Sequence, residues 1–233
     1  MPLRDSLIVH NDPKSVGSEA FRTLRTNLQF TSPDRQLRVI LVTSAAPGEG
    51  KSTISSNLAV AFSQAGLRTL LLDCDLRKPT VHKIVGLHNS PGLTSLLVGE
   101  VKREDVVKDV GVPNLSVIPS GPVPPNPAEL LGSQAMRNVL NAVREEFDMV
   151  VVDAPPIVAV TDAAVLCPLV DGVLLTVAAG EVPRELAQHA RSLLENANAN
   201  VLGVVLNRIN PSAQKNYQYY YYYYSEVAET SDD

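Results

Sequence analysis

Six short apolar runs rich in β-branched residues recur along the chain. They are Val39–Val42, Thr69–Leu72, Leu115–Ile118, Met149–Val152, Val173–Val177 and Val201–Leu206. Such runs are typical of strands that are buried on both faces of a parallel sheet. Helical patterns are predicted at Ser15–Phe30, Ser52–Gln64, Gln134–Glu146 and Arg184–Glu195. The alternation of strands and helices predicts right-handed βαβ units and an open, mostly parallel α/β sheet with helices on both faces.

Three segments depart from this pattern. The first dozen residues are polar and are predicted to be loose. The segment Pro119–Pro127 holds five of the 17 prolines and is predicted to be an extended loop. The most membrane-like stretch, Ala163–Gly180, is broken by Pro168 and Asp171, and it is better explained as a helix, a turn and a buried strand.

Composition excludes several classes of protein. Of 233 residues, 45% are hydrophobic and 19% charged, which is ordinary for a globular chain and unlike a disordered or fibrous one. The net charge is −5, and four of the acids lie in the last nine residues, so no basic field favours nucleic acid. Two cysteines are too few for a disulfide framework or a cysteine-rich zinc site. The amino terminus lacks the apolar core of a signal peptide, so a cytoplasmic protein is expected.

The strongest local motif is Ser44–Thr53 (SAAPGEGKST), between a predicted strand and a predicted helix. In a P-loop, small residues let backbone N–H groups surround phosphate oxygens at a helix amino terminus. A lysine reaches the β- and γ-phosphates, and a serine hydroxyl binds Mg²⁺. Ala45 replaces the first glycine of the usual motif. The predicted nucleotide-binding residues of this loop are Pro47, Gly48, Glu49, Gly50, Lys51, Ser52 and Thr53.

Carboxylates follow two of the apolar runs. Asp73 and Asp75 come after Leu70–Leu72, and Asp153 comes after Val150–Val152. Parallel strands deliver such residues to the carboxyl edge of the sheet, where α/β folds bind ligands. Mg²⁺ needs carboxylates of this kind beside a phosphate loop, although solvated turn residues would have the same pattern. Cys74 lies between the first two carboxylates, and strand alternation predicts that it belongs to the core.

The last predicted strand ends at Asn207-Arg208. The Asn207 amide could bond an adenine edge, or it could equally cap a turn. The aspartate that guanine-specific P-loop proteins place two residues after a lysine is missing here. ATP is therefore the expected nucleotide, with Asn207 and Arg208 as candidate contacts.

All seven tyrosines fall in one run near the carboxyl terminus, and the preceding 216 residues contain none. They are Tyr217, Tyr219, Tyr220, Tyr221, Tyr222, Tyr223 and Tyr224. A folded domain uses tyrosine throughout its core margins, so this segregation needs another cause. Phenolic hydroxyls on a solvated tail are good phosphoryl acceptors. A phosphate-binding loop and a tyrosine cluster in one chain indicate self-phosphorylation.

These motifs together resemble the bacterial tyrosine kinases of the capsular and exopolysaccharide type, CpsD/CapB-like. Pro47–Thr53 resembles the family's Walker A motif, Leu70–Arg77 (LLLDCDLR) its Walker A′ motif and Val150–Pro156 (VVVDAPP) its Walker B motif. The proline segment running into Asn126–Leu131 and the tyrosine run extend the similarity along nearly the whole chain. The chain lacks the H-R-D and D-F-G motifs of eukaryotic protein kinases.

The resemblance implies a P-loop kinase domain over residues 1–210 and a flexible tyrosine-rich tail over 211–233. It implies Mg²⁺ and ATP as cofactors, with Ser52, Asp73 and Asp153 at the metal. Lys51 neutralises the transferred phosphate, Asp75 orients or deprotonates the incoming tyrosine, and the tyrosine comes from a neighbouring subunit. The role of Arg77 stays open between a phosphate contact and a turn cap.

The family also carries an E-x-x-R-x-x-R motif that mediates ring-shaped oligomers, and Glu19, Arg22 and Arg25 fit it. Steps of three place these residues within about 120° on one helix face. From the residues alone they would be a solvated face with one weak ion pair. The smaller family members depend on a separate transmembrane adaptor that recruits them to the inner face of the membrane, and polysaccharide-synthesis enzymes are candidate substrates.

Two other classes of function are compatible with parts of this pattern. An ATPase switch of the partition and division-site type shares the predicted fold. Such proteins carry an extra lysine at the position of Ala46, and its absence and the tyrosine run argue against that class. A nucleotide-regulated scaffold of polysaccharide assembly would bind ATP without transferring phosphate.

Overall fold

The computed structural model describes residues 5–31 and 37–209, and their centre is a seven-stranded sheet. The strands are β1 (Val39–Ser44), β2 (Thr69–Asp73), β3 (Lys108–Asp109), β4 (Leu115–Ile118), β5 (Met149–Asp153), β6 (Gly172–Ala178) and β7 (Val201–Asn207). Their order is β3-β4-β2-β5-β1-β6-β7. All pairs are parallel except β3 with β4. The predicted sheet and the positions of its six apolar strands are confirmed. The prediction of burial on both faces is wrong for β7, an edge strand on which Val204 and Leu206 are exposed.

Helices connect the strands. They are α1 (Ile8–Asn11), α2 (Val16–Thr31), α3 (Lys51–Gln64), α4 (Val81–Ile84), α5 (Leu93–Leu97), α6 (Arg103–Val106), α7 (Pro127–Leu131), α8 (Gln134–Glu146), α9 (Asp162–Leu166) and α10 (Arg184–Asn196). A 3₁₀ turn at Cys167–Leu169 follows α9. The four predicted helices correspond to α2, α3, α8 and α10, and the shorter ones were not predicted because four or five residues are too few to show a helical period. Within residues 5–31 and 37–209, none of the helices has the length and apolar character needed to traverse a bilayer.

Both faces of the sheet are covered. Along β1, Val39 and Leu41 pack into one hydrophobic cluster, and Ile40 and Val42 pack into the other. Strand side chains alternate between faces, so continuous apolar runs are what a sheet with helices on both sides requires. Helix α3 belongs to the second cluster, and nearly all of its residues are buried.

The prediction of a loose amino terminus is wrong for the described residues 5–12. Leu7 and Val9 have no exposed surface, and α1 lies in this segment. The Val9 N–H donates to Asn57 Oδ1 at 3.0 Å, and Gln64 Nε2 donates to the Val9 carbonyl at 3.0 Å. Side chains of α3 therefore satisfy the backbone here, a non-local arrangement that a short polar segment cannot reveal.

Two smaller details also differ from the sequence prediction. The two-residue strand β3 was not predicted, because Lys108 and Asp109 are polar and form an edge pair with β4. The proline segment is a loop as predicted, but Pro127 begins α7, where a missing N–H is tolerated. Ala163–Gly180 forms a helix, a turn and a buried strand as predicted, and Cys74 is a buried free cysteine.

Three parallel strands position the candidate site. In the sheet register, Asp73 at the end of β2 lies beside Asp153 at the end of β5, and Val42 near the end of β1 lies on the other side of Asp153. The loop after β1 leads directly into α3. The phosphate loop and both carboxylates therefore meet at one edge of the sheet, as the alternation of strands and helices predicts.

Candidate nucleotide and phosphoryl-transfer site

The loop between β1 and α3 has the backbone conformation of a phosphate cradle. Gly48 and Gly50 have φ angles of +85° and +87°, which only glycine adopts without strain. Gly50 is the N-cap residue of α3. The crest at Pro47 and Gly48 is exposed, and Thr53 is partly buried one turn into the helix.

Lys51 lies between two carboxylates at the start of α3. Its Nζ is 2.8 Å from Asp75 Oδ2 and 3.2 Å from Asp153 Oδ2. Burial by itself would lower the pKa of Lys51, but Asp153 and Asp75 more than compensate and raise the pKa above its ordinary value. The lysine is therefore a cation held in a buried anionic cluster.

Asp153 is the centre of this cluster. Ser52 Oγ donates to its Oδ2 at 2.6 Å, and Ser55 Oγ donates to its Oδ1 at 2.9 Å. Burial raises the pKa of Asp153, and the charge of Lys51 opposes that rise. Sequence reasoning identified Ser52 and missed Ser55. The signal was available, because Ser55 lies one turn after Lys51 on the same helix.

Asp73 supplies an unused acceptor beside Asp153. Its Oδ1 accepts from the Asp75 N–H at 3.1 Å, whereas its buried Oδ2 has no hydrogen-bond partner. Burial, reinforced by the charge of Asp153, raises the pKa of Asp73 well above the usual range. A buried carboxylate oxygen without a donor is costly, and a cation at this place would relieve that cost.

These groups fit a magnesium ion. Within residues 5–31 and 37–209, no three His, Cys, Asp or Glu side chains are arranged as a ready metal cage. Mg²⁺ does not need such a cage, because it is usually held by one or two carboxylates, phosphates and waters. The Ser52 hydroxyl, Asp153 and the free oxygen of Asp73 provide ligands of that chemistry.

Arg77 has a partner that sequence reasoning did not foresee. Its Nε and Nη2 donate to Asp162 Oδ2 and Oδ1, both at 2.9 Å. Asp162 is buried and is the first residue of α9. This fork joins the segment after β2 to the segment after β5, so it connects the two chain regions that supply Asp75 and Asp153.

The end of β7 contacts the phosphate loop. Asn207 Nδ2 donates to the Glu49 carbonyl at 2.8 Å, and Arg208 Nη2 donates to the Gly48 carbonyl at 2.6 Å. The buried Glu49 carboxylate accepts from the N–H groups of Ala46 and of Ala178. Glu49 was predicted to bind nucleotide, and its side chain instead bonds two backbone N–H groups of the protein.

The residues of the predicted oligomerisation motif lie on α2. Arg22 Nη1 pairs with Glu19 Oε2 at 2.8 Å and also donates to the Pro13 carbonyl through Nη2. Arg25 Nη1 donates to the carbonyl of Ala61 in α3 at 2.9 Å. Arg25 therefore has a role inside the subunit. The seven tail tyrosines lie outside the described residues.

The fold and the loop define the class of protein. A family model described as ParA, NUBPL iron-transfer P-loop NTPase, matches residues 36–232. The septum site-determining protein MinD of Pyrococcus horikoshii, solved with Mg-ADP, has 23% identity and a TM-score of 0.64 over 77% of this chain and 76% of that one. At that identity the likeness shows the fold alone. The chain is a P-loop NTPase, a class that binds nucleotides.

Nearer relatives define the family. Tyrosine-protein kinase YwqD of Bacillus subtilis is 44% identical over 217 residues, which cover 93% of this chain and 92% of YwqD. Putative tyrosine-protein kinase CapB of Staphylococcus aureus is 41% identical over 91% of this chain and 93% of CapB. The crystal structure of the chimerical protein CapA2B2 has 41% identity and a TM-score of 0.86, covering 90% of this chain and 95% of that one. This chain belongs to the bacterial tyrosine-protein kinase family.

Some relatives are longer. Tyrosine-protein kinase Wzc of Salmonella typhimurium is 34% identical over 206 residues, which cover 88% of this chain but 29% of Wzc. This chain therefore corresponds to one part of such a protein. Relatives of both lengths carry the name tyrosine-protein kinase, and the resemblance predicted from the Walker motifs and the tyrosine run is confirmed.

Proposed function

We propose that this chain transfers the γ-phosphoryl group of ATP to the tyrosines of its own carboxyl-terminal run, Tyr217–Tyr224. The observation that carries the proposal is the position of Lys51 Nζ, which lies at the phosphate loop and within 3.2 Å of both Asp75 and Asp153. A cation and carboxylates at the start of α3 are the charged groups that phosphoryl transfer needs, because the reaction depends on positioning and charge stabilisation.

Each residue has a role in the proposed transfer. The phenolic oxygen attacks the γ-phosphorus, the bond from that phosphorus to the β,γ-bridging oxygen breaks, and ADP leaves. Asp75 orients the tyrosine and takes the phenolic proton, and Lys51 stabilises charge on the transferred group. Bound Mg²⁺ supplies charge neutralisation on the phosphates, and Ser52, Asp73 and Asp153 are the residues that would hold it.

The first experiment measures intact mass after incubation of the full-length protein with Mg²⁺ and ATP. Since every tyrosine lies in the run Tyr217–Tyr224, any tyrosine phosphate identifies the tail. We expect a ladder of added phosphoryl groups. ATP hydrolysis without added mass would indicate an ATPase switch, and nucleotide binding without either reaction would indicate a scaffold.

Strand β5 offers a matched pair of variants. Asp153→Asn changes the buried carboxylate at its carboxyl end, and Asp148→Asn makes the same change just before its other end, where Asp148 forms an exposed pair with Arg68. We expect Asp153→Asn to slow autophosphorylation by about 10²-fold or more. Asp148→Asn should leave the rate near that of the wild type, and equal effects of the two changes would contradict the site.

Transfer between subunits is tested by mixing two proteins, neither of which can phosphorylate its own tail. The acceptor is full-length Lys51→Met, and the donor is active protein truncated before Tyr217. Phosphate on the acceptor tail shows that the tyrosines come from a neighbouring subunit. An acceptor that stays unmodified, beside a wild type that modifies itself, would show that each chain phosphorylates its own tail.

We further propose that the chain forms a ring through Glu19, Arg22 and Arg25. Phe30, at the end of the same helix, is 78% exposed and lies within about 20° of Glu19 around the helix axis. An exposed phenylalanine beside charged residues is the composition of a subunit interface. This supports the ring, whose subunit number stays open.

We also propose a membrane-bound partner. Wzc is a longer protein than this chain, and a separate transmembrane protein would recruit and activate a shorter relative at the inner face of the membrane. Tyrosine phosphorylation would then regulate capsular or exopolysaccharide synthesis and export, with polysaccharide-synthesis enzymes as further substrates. Stimulation of autophosphorylation by the membrane partner, measured by intact mass, is the test.

A further inference from the structure

The peptide groups at the crest of the phosphate loop are held from outside the loop. The Gly48 carbonyl accepts from Arg208 Nη2, and the Glu49 carbonyl accepts from Asn207 Nδ2. Asn207 is the last residue of β7 and Arg208 follows it, about 160 residues further along the chain than the loop. Two neighbouring carbonyls of the loop are thus fixed by two consecutive side chains.

These contacts determine where the loop N–H groups point. In a trans peptide the C=O and N–H bonds are coplanar and point in opposite directions. The Gly48 carbonyl shares its peptide with the N–H of Glu49, and the Glu49 carbonyl shares its peptide with the N–H of Gly50. Holding the two carbonyls therefore orients two successive N–H groups, which are the donors that a phosphate loop uses.

Arg208 and the phosphate loop are each also bonded to β6 or to the loop that follows it. Arg208 Nη1 donates to Glu181 Oε2 at 2.6 Å, and the Glu49 carboxylate accepts from the Ala178 N–H at 2.9 Å. The fit is close, because a Cβ on Gly50 would lie 2.3 Å from Asn207 Nδ2. A side chain at position 50 would therefore displace the Asn207 amide, in addition to straining the φ angle of +87°.

We infer that Asn207 and Arg208 are positioning residues that hold the phosphate loop ready for polyphosphate. The inference rests on the phosphate site of the proposed function. It adds that bonds from outside the loop fix the backbone conformation of that site. The sequence offered an adenine contact or a turn cap for Asn207, and the bond from its Nδ2 to the Glu49 carbonyl is a third use, to which the loop itself is the partner.

The test compares ATP with inorganic tripolyphosphate, which has no base, by competition for the full-length protein. We expect Asn207→Ala and Arg208→Ala each to lower the affinity for ATP and for tripolyphosphate by the same factor. That factor should be about tenfold, which corresponds to the loss of one well-placed hydrogen bond. Arg191→Ala is the matched control, since Arg191 pairs with Glu195 on the exposed side of α10. Loss of ATP affinity with unchanged tripolyphosphate affinity would overturn the inference in favour of base recognition.

A second readout does not depend on any ligand. The backbone amide resonances of Glu49 and Gly50 in nucleotide-free protein should shift or broaden in Asn207→Ala and stay unchanged in Arg191→Ala. Unchanged amide resonances in Asn207→Ala would also overturn the inference. A wild type that binds tripolyphosphate but modifies no tyrosine would contradict the proposed kinase function alone.

Discussion

The Lys51 ammonium group lies 2.8 Å from the carboxylate of Asp75. Lys51 is expected to neutralise phosphate and Asp75 to receive the tyrosine proton, so the two proposed roles belong to one ion pair. A third charge, that of Asp153, is 3.2 Å from the same nitrogen. Incoming phosphate oxygens must compete with both carboxylates for Lys51. Lys51 also compensates the charges of the two carboxylates, so a substitution of Lys51 should lower the free energy of unfolding as well as the rate.

Lys51→Met should abolish tyrosine phosphorylation and also destabilise the protein. Sequence reasoning alone predicts a loss of about 10²–10³ in rate with no effect on the fold. Because Lys51 is buried between Asp75 and Asp153, its removal leaves buried carboxylates without a cation, which costs about 3–5 kcal/mol when one partner of a buried pair is lost. Urea unfolding of the nucleotide-free protein and intact mass after ATP measure the two effects.

The double variant Lys51→Met/Asp75→Asn is the control for that explanation. It removes one of the uncompensated charges, so it should recover part of the lost unfolding free energy and stay inactive. A single variant as stable as the wild type would show that the carboxylates do not depend on Lys51. Near-normal autophosphorylation by a folded Lys51→Met protein would contradict the phosphate-site assignment itself.

Changing Glu19, Arg22 and Arg25 together to alanine should give a folded monomer. The structure adds a cost, because Arg25 donates to the Ala61 carbonyl and one hydrogen bond contributes about 1 kcal/mol. We therefore expect a free energy of unfolding lower by about 1–2 kcal/mol, where isolated surface substitutions would change it by about 0.5 kcal/mol or less each. Light scattering measures the oligomer and urea unfolding measures the stability.

A charge reversal separates interface from fold in that experiment. Glu19→Lys leaves Arg25 in contact with α3 and opposes Arg22 with a like charge on the helix surface. It should break the oligomer at little cost in stability. An oligomer that survives both the reversal and the triple substitution would remove the ring hypothesis.

Asp171→Asn should destabilise the protein at neutral pH but not in acid. Its carboxylate accepts from the N–H groups of Arg38 and Val39 at 2.9 and 2.8 Å and from Arg144 Nη1 at 2.9 Å. Burial raises the pKa of Asp171, but these donors prevail and lower it below its usual 3.8. Charge-assisted bonds of this kind predict a loss of about 2 kcal/mol in the variant.

The sign of the pH dependence follows from that lowered pKa. A carboxyl group with a lower pKa in the folded state stabilises the protein above its unfolded pKa, and this contribution disappears as the pH falls through the folded pKa. The difference between wild type and Asp171→Asn should therefore shrink as the pH falls below about 4, in urea unfolding measured at each pH. Glu195→Gln, which removes an exposed charge of α10, should change little at any pH. A constant difference across the pH range would contradict the assignment.

The amino-acid sequence by itself determined the layers of this fold and the chemistry of its site. Runs such as Val39–Val42 and Met149–Val152 predicted buried strands correctly, because continuous apolar residues are typical of a sheet covered on both faces. The phosphate loop and Asp73, Asp75 and Asp153 were identifiable because their function depends on local spacing after a strand. The same reasoning failed at Leu7 and Val9, whose burial depends on Asn57 and Gln64 of a distant helix.

Tertiary structure alone decided which of those residues act on one another. Three sets of contacts join positions far apart in the chain. They are the bidentate pair of Arg77 with Asp162, the bond from Asn207 to the Glu49 carbonyl, and the ion pairs of Lys51 with Asp75 and Asp153. Local propensity carries no information on such pairs, because strand order and packing set their distances. The sequence determined that a lysine and carboxylates would meet at one sheet edge. Only the folded chain determined that Lys51 pairs with both Asp75 and Asp153, because strand order and the packing of α3 bring the three side chains together in a buried place.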